Sequence, residues 1–334
     1  MTNRLVRLLA YFLCAGLLAG AASAADPEWL GLVPRDAFVF GVNMERIKAA
    51  NLDELFLAAA MKGAGTQASI GAAEKRIFRG IRELLFAAPA DSRGGRYLIM
   101  LSGSFGLADL QAVASRGGMS MVEIQNAQVF LSPRGRPFMA ALLDGTRIIA
   151  GDPQTVRIAI ARQMPADGLG PAAIAKVRAL RSSYDFWVFT NAFPELVRSA
   201  REFPFSGALT PELIDSIREI GGGLTTAPAA KFSLDVVTRT EPDAIGLAKA
   251  LRMELLELVA AHARAYPVVG ILRGVDLKAE GSTVKIELVC SDAEWRKWMA
   301  STPASSDVVI QAAPVDSGAS PSSGDTGVVT LPGP

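Results

Sequence analysis

The chain has 334 residues, half of them hydrophobic, with 34 Lys+Arg against 33 Asp+Glu, one His and two Cys. So balanced a charge leaves no electrostatic footprint for nucleic acid or an anionic surface. A single histidine excludes a His-ligated metal centre and a Ser–His–Asp or Cys–His pair, and two cysteines exclude a disulfide framework.

Residues 1–24 predict a secretory signal peptide. Arg4 and Arg7 form a basic start, "LLAYFLCAGLLAG" an apolar run, and Ala22 and Ala24 the small residues of a cleavage site. The run is short for a membrane anchor, and Cys14 lacks the small residue ahead of it that lipidation requires. Cleavage after Ala24 leaves a periplasmic or extracellular protein with no integral membrane span. Cys290 is then its sole cysteine, expected as a small buried hydrophobe.

The expected fold class is α+β: two related units, 27–163 and 164–300, each with helices packed on a mainly antiparallel sheet. In the first unit, "DAFVFGVN" (Asp36–Asn43) reads as a strand and 44–60 as a helix. A Gly-rich loop follows, then a helix over 72–86, the strand "RYLIMLSG" and the helix "LADLQAVAS". "SMVEIQ" and "AQVFLS" form a hairpin around Asn126, and "PFMAALLDGTRIIAGD" a second one with Asp144–Gly145 at its turn. Asp152 and Pro153 open a helix.

In the second unit, "YDFWVFTN" (Tyr184–Asn191) is a strand and "PELVRSA" is helical. "TPELIDSIREI" is a helix capped by Thr210 and stopped by Gly221–Gly223; "KFSLDVVTRT" is an alternating strand. A helix then runs from Glu241 to about Ala265, with Thr240 as its cap and Ala244, Ala248, Leu251, Leu255 and Leu258 as its apolar stripe. A hairpin turning at Glu280–Gly281 and a capping box from Ser291 to Glu294 close the unit. The tail 301–334 has five Pro, seven Ser, four Gly and no Lys, Arg or aromatic residue, a composition expected to stay disordered.

The order strand, helix, helix, strand, helix, hairpin, helix thus occurs twice, with an extra hairpin in the first unit. Asn43 matches Asn191, Ile81 matches Ile217 and Tyr97 matches Phe232. The units differ in patterning. Strands of the second alternate, as on a sheet with one wet face. Those of the first ("YLIML", "MAALL", "RIIAG") are continuously apolar, as on a sheet covered on both. One layer of helices covers one face, so the other calls for the second unit, a paired sheet or another chain. "VPRDAFVFGVNMERI", "LLFAAP", "RYLIMLSGSF", "RIIAGD" and "TRTEPDAIGLAKAL" resemble uncharacterised secreted proteins of soil bacteria over residues 30–300. The resemblance implies this architecture and export. It brings no activity, cofactor or catalytic residue.

Candidate chemistries are few. "GSFG" at Gly103 sits between a strand and a helix but lacks the spacing and the lysine of a phosphate loop. Ser282 and Lys285 have S-x-x-K spacing, which on a strand puts them on opposite faces. Asp235, Asp276, Glu280 and Glu287, with Lys278 and Lys285, would line either a carboxylate site or the solvated face of a sheet. His262 lies near the end of the long helix, where the helix dipole favours it. Phe203 and Phe205, flanking Pro204, are the candidate binding residues, for a protein or small-ligand partner. No catalytic residue, metal ligand or cofactor is assigned. The leading expectation is an exported, non-catalytic binding or interaction protein. The alternatives are a carboxylate-dependent hydrolase and a structural subunit of a cell-envelope assembly.

Overall fold

The computed structural model describes residues 30–54, 71–90, 96–133, 138–161, 168–199, 208–227, 229–262, 271–291 and 293–295. The expected signal peptide, most of the Gly-rich loop, Phe203 and Phe205, the side chain of His262 and the tail 301–334 lie outside the described residues.

Twelve strands form one sheet: β1 (Ala37–Asn43), β2 (Ile81–Pro89), β3 (Leu98–Gly103), β4 (Ser120–Ile124), β5 (Ala127–Leu131), β6 (Met139–Asp144), β7 (Arg147–Gly151), β8 (Phe186–Thr190), β9 (Ile217–Thr225), β10 (Ala230–Thr238), β11 (Asp276–Glu280) and β12 (Thr283–Cys290). Their order is β11-β12-β10-β9-β8-β1-β2-β3-β7-β6-β5-β4, and each pairing between neighbours is antiparallel. Eight α-helices among the described residues pack on it: α1 (Met44–Ala49), α2 (Ala72–Gly80), α3 (Leu107–Arg116), α4 (Pro153–Ala161), α5 (Pro171–Ser183), α6 (Phe193–Ser199), α7 (Pro211–Ser216) and α8 (Glu241–His262). The protein is α+β.

The two halves of the sheet meet at β1 and β8, where Phe40 lies opposite Val188 and Gly41 opposite Trp187. Gly41 is required there. A Cβ on it would lie 2.2 Å from the Trp187 indole, which occupies the space a side chain would take.

Helices cover the halves unequally. On the front face, Phe40, Phe130 and Ile148 pack against Met44 and Ile47 of α1 and Ala114 of α3, with Ile77 and Phe78 of α2 alongside. On the back face, Val39, Leu85, Met100, Ile149 and Trp187 pack against Val156 and Ile160 of α4 and Val177 and Leu180 of α5. The first half is therefore covered on both faces by helices of this chain, five of them split between two layers. That replaces the single helix layer expected for it. In the second half, Ile220, Val236 and Val284 pack on the front face against Ala244, Leu247 and Ala248 of α8.

Local signals place many of the helix starts. Thr155 N donates to Asp152 Oδ1 at the start of α4, Leu213 N to Thr210 Oγ1 at α7, and Asp243 N to Thr240 Oγ1 at α8. The box at Ser291 and Glu294 closes in both directions, with Ser291 N donating to Glu294 Oε2 and Glu294 N to Ser291 Oγ.

Three expected helices are shorter than read: the first, read as 44–60, ends as α1 at Ala49, ahead of Asn51 with its φ of 55°. α2 ends at Gly80 and α7 at Ser216, and the "IRE" that follows each one opens a strand, β2 or β9. Where both sheet faces are covered, a strand such as "IRELLFAAP" is apolar at odd and even positions alike. Its pattern cannot be told from a buried helix without the pairing partners. Gly221–Gly223, read as a helix stop, lies inside β9. A Cβ on Gly222 would lie 2.2 Å from Ser233 O, and one on Gly223 2.2 Å from Phe186 O and 2.5 Å from the Tyr184 ring. α5 was not anticipated at all.

Candidate interaction surface

Past α5 no helix of the described residues packs on the back face of the sheet. The cross-strand row Val39, Phe189, Gly221 continues into Asp235, Lys285 and Lys278. The next row, Gly41, Trp187, Gly223, continues into Ser233, Glu287 and Asp276. The change from apolar to charged side chains falls where the α5 cover ends. The carboxylates proposed from sequence thus share one open face of β10, β12 and β11. Lys278 stands directly opposite Lys285, and Asp276 opposite Glu287, arrangements that repel on their own.

Neighbouring opposite charges relieve both. Lys278 pairs with Asp276, Lys285 Nζ lies 2.6 Å from Glu280 Oε2, and Lys231 Nζ lies 3.0 Å from Glu287 Oε1. Asp276 and Glu280, the bonded partners, hold the Lys278 and Lys285 amines above the ordinary lysine value. Each lysine is kept charged, and the carboxylates act as its counter-ions. This is the chemistry of a solvated, mutually neutralised sheet face. Ser282 sits at the turn before β12, and Lys285 faces Glu280 rather than that serine.

The front face of the second half carries a different feature. α8 buries Ala244, Leu247, Ala248 and Leu258, with Leu251 and Leu255 half-buried, on β10, β11 and β12. At 100° per residue, Ile245, Lys249, Met253 and Leu256 fall on the opposite side. Ile245, Met253 and Leu256 are 56 %, 48 % and 64 % exposed. Arg252 turns back from that side and donates from Nη2 to Leu277 O on the edge strand, 2.7 Å away. α8 therefore presents three large apolar side chains, interrupted by Lys249, that the protein leaves in solvent. The sequence carried a signal for this: three large apolar residues lie outside the buried stripe of an otherwise amphipathic helix.

Sequence reasoning also missed the ionic junction between the halves. Arg181 of α5 donates from Nε and Nη2 to the two oxygens of Glu83, at 2.8 and 3.0 Å. Lys176 of the same helix pairs with Glu219. Glu83 and Glu219 are the glutamates of the two "IRE" triplets, so one helix pairs with the glutamate of each. Arg46 of α1 donates to Ser182 O at the end of α5 and lies 3.5 Å from Asp185. Asp185 in turn accepts from Thr226 N and Oγ1. Lys48 Nζ donates to Arg79 O and Ile81 O at 2.7 and 2.8 Å, closing the end of α2. Burial there lowers its pKa, against the pull of Asp53 and Glu45.

Cys290 is buried, and desolvation raises its thiol pKa. Gly103 ends β3 and Gly106 is the N-cap of α3, with Ser104 and Phe105 between them. Among the described residues no group of three or more His, Cys, Asp or Glu side chains is placed to hold a metal ion, and no helix is long and apolar enough to cross a membrane.

No family model matches the chain, and no curated protein matches it significantly. Solved structures of TP0453 do match at the level of fold. Crystal form IV is 13 % identical, over 83 % of this chain and 98 % of that one, with a TM-score of 0.51. Crystal forms I and III are also 13 % identical, each over 84 % of this chain and over 98 % and 100 % of theirs, with TM-scores of 0.47 and 0.49. At that identity the likeness of form IV concerns the α+β architecture alone.

Proposed function

We propose that the chain is an exported, non-catalytic interaction protein that holds a protein partner against the outer side of α8. The observation that carries this reading is the exposure of Ile245, Met253 and Leu256 on one side of a long, well-anchored helix. Apolar side chains aligned on a rigid element are the kind of anchor that protein interfaces bury. Export rests on the basic start, apolar run and small residues of positions 1–24. The hydrolase reading is less favoured, because lysines of the open face pair with Asp276, Glu280 and Glu287, three of the four carboxylates it would use.

We further infer that 27–163 and 164–300 are related units. Phe40 and Val188 are separated by the same 148 positions as Asn43 and Asn191 (191 − 43), and they stand opposite each other where β1 meets β8. Two equivalent strands paired antiparallel about a twofold axis must bring one equivalent pair face to face at that axis. This coincidence of offset and register supports duplication.

The test is capture from native envelope extracts with purified protein and an I245E/L256E variant. The reading expects one protein to be captured by the wild type and its yield to fall at least about tenfold with the variant. Equal yield from both would remove α8 from the interface.

A further inference from the structure

The two edges of the sheet differ in chemistry. β11, at one end, exposes Asp276, Lys278 and Glu280, the charges that natural sheets use to refuse a further strand. β4, at the other, reads "SMVEI" and carries a single charge, Glu123. Met121 and Val122 are 46 % and 39 % exposed on its two faces. Met121 lies beside α3, within 3.6 Å of Gln111 Nε2, and Val122 lies on the back face opposite Val129.

The hairpin also fixes which backbone groups of β4 are open. Gln125 and Asn126 both have positive φ, 50° and 65°, so the turn is a two-residue type I′ turn. Ile124 and Ala127, which close it, therefore exchange hydrogen bonds, and the alternation makes Val122–Val129 and Ser120–Leu131 the next bonded pairs. The N–H and C=O groups of Met121 and Glu123 point outward, away from β5.

We propose that β4 pairs with β4 of a second copy of this chain, antiparallel about a twofold axis at Val122. In that register Met121 exchanges hydrogen bonds with Glu123 of the other copy, Val122 meets Val122, and Ser120 meets Ile124. No like charges face each other. The neighbouring register, centred on Glu123, would set two carboxylates directly opposite and is disfavoured. Charge thus excludes that register, and centring on Val122, the middle of the five-residue strand, is the alignment that pairs all five residues. A contact of one edge with itself closes at two copies, whereas β4 on the β11 of another molecule would propagate as a filament past three alternating charges. Five residues per copy is a small interface, so the pairing is expected to be reversible, with a Kd of about 10–100 µM.

Sedimentation equilibrium of purified protein tests this. The weight-average mass should rise toward that of two copies over this concentration range. M121P removes an outward donor that makes no ladder bond within the chain, and V122K sets a lysine against its own copy. Either should weaken association at least about tenfold with little change in Tm. A279P on the opposite edge and L256E on α8 should leave association unchanged. In a C14S/C290A background, V122C should form an intermolecular disulfide on mild oxidation. A mass that stays monomeric to about 1 mM would overturn the proposal. So would association that survives both β4 variants, or that is lost with A279P or L256E.

Discussion

Lys48 illustrates how much of this fold rests on single side chains that close helix ends. Its amine donates to two carbonyls at the end of α2, while Arg46, two residues earlier, reaches the end of α5. Lys48→Ala should cost about 1–2 kcal/mol, measured by urea unfolding, because two carbonyls lose a charged donor. Asp144 gives a pH signature. Partial burial pushes its carboxyl up, but hydrogen bonds from Thr146 and Arg147 outweigh that and leave it below the ordinary carboxylate value. A carboxyl depressed in the folded state adds stability above its unfolded pKa of about 4, and that stability disappears as pH falls through the folded value. D144N should therefore be less stable than wild type at pH 7, and the gap should shrink on acidification below about pH 4. A gap independent of pH would mean that the hydrogen bonds are not formed by the charged group.

At the scale of elements, capped helices, tight hairpins and most strands were legible, and the two strands that begin directly at a helix end, β2 and β9, were not. Thr210, Thr240, Asp152 and the Ser291–Glu294 box act locally, within four residues, so sequence alone locates them. β2 and β9 are decided by neighbours far away in the chain. Gly222 and Gly223 of β9 are there because Ser233 O, Phe186 O and the Tyr184 ring approach so closely, which no local pattern records. The charged face of β10, β11 and β12 was legible because one wet face restores the period of two. α5 went unread, yet it links the halves. Arg181 and Glu83 are nearly buried, at 11 % and 2 % side-chain exposure, whereas Lys176 and Glu219 are at 41 % and 23 %. R181M should therefore cost about 3–5 kcal/mol, since it leaves the Glu83 carboxylate buried without its guanidinium. K176M should cost less than about 1 kcal/mol. Equal costs in thermal or urea unfolding would show that burial does not separate the two pairs.

For the whole molecule, the meeting of β1 and β8 makes the halves mutually dependent. A fragment of residues 25–163 would bare the apolar edge of β1 and, lacking α5, uncover Val39 and neighbouring back-face residues. Each buried apolar Å² is worth roughly 25 cal/mol, so that fragment should associate or precipitate. A folded monomer in sedimentation would show that the second half is not needed to cover it. With both halves in place, one long helix still keeps Ile245, Met253 and Leu256 in solvent. Hydrogen–deuterium exchange of the protein alone and in complex with the partner captured from its envelope tests directly whether that side is the contact. The account predicts slowed exchange concentrated in peptides spanning 245–260. Unchanged exchange there, with protection instead on β10, β11 and β12, would contradict it and move the interface to the charged face.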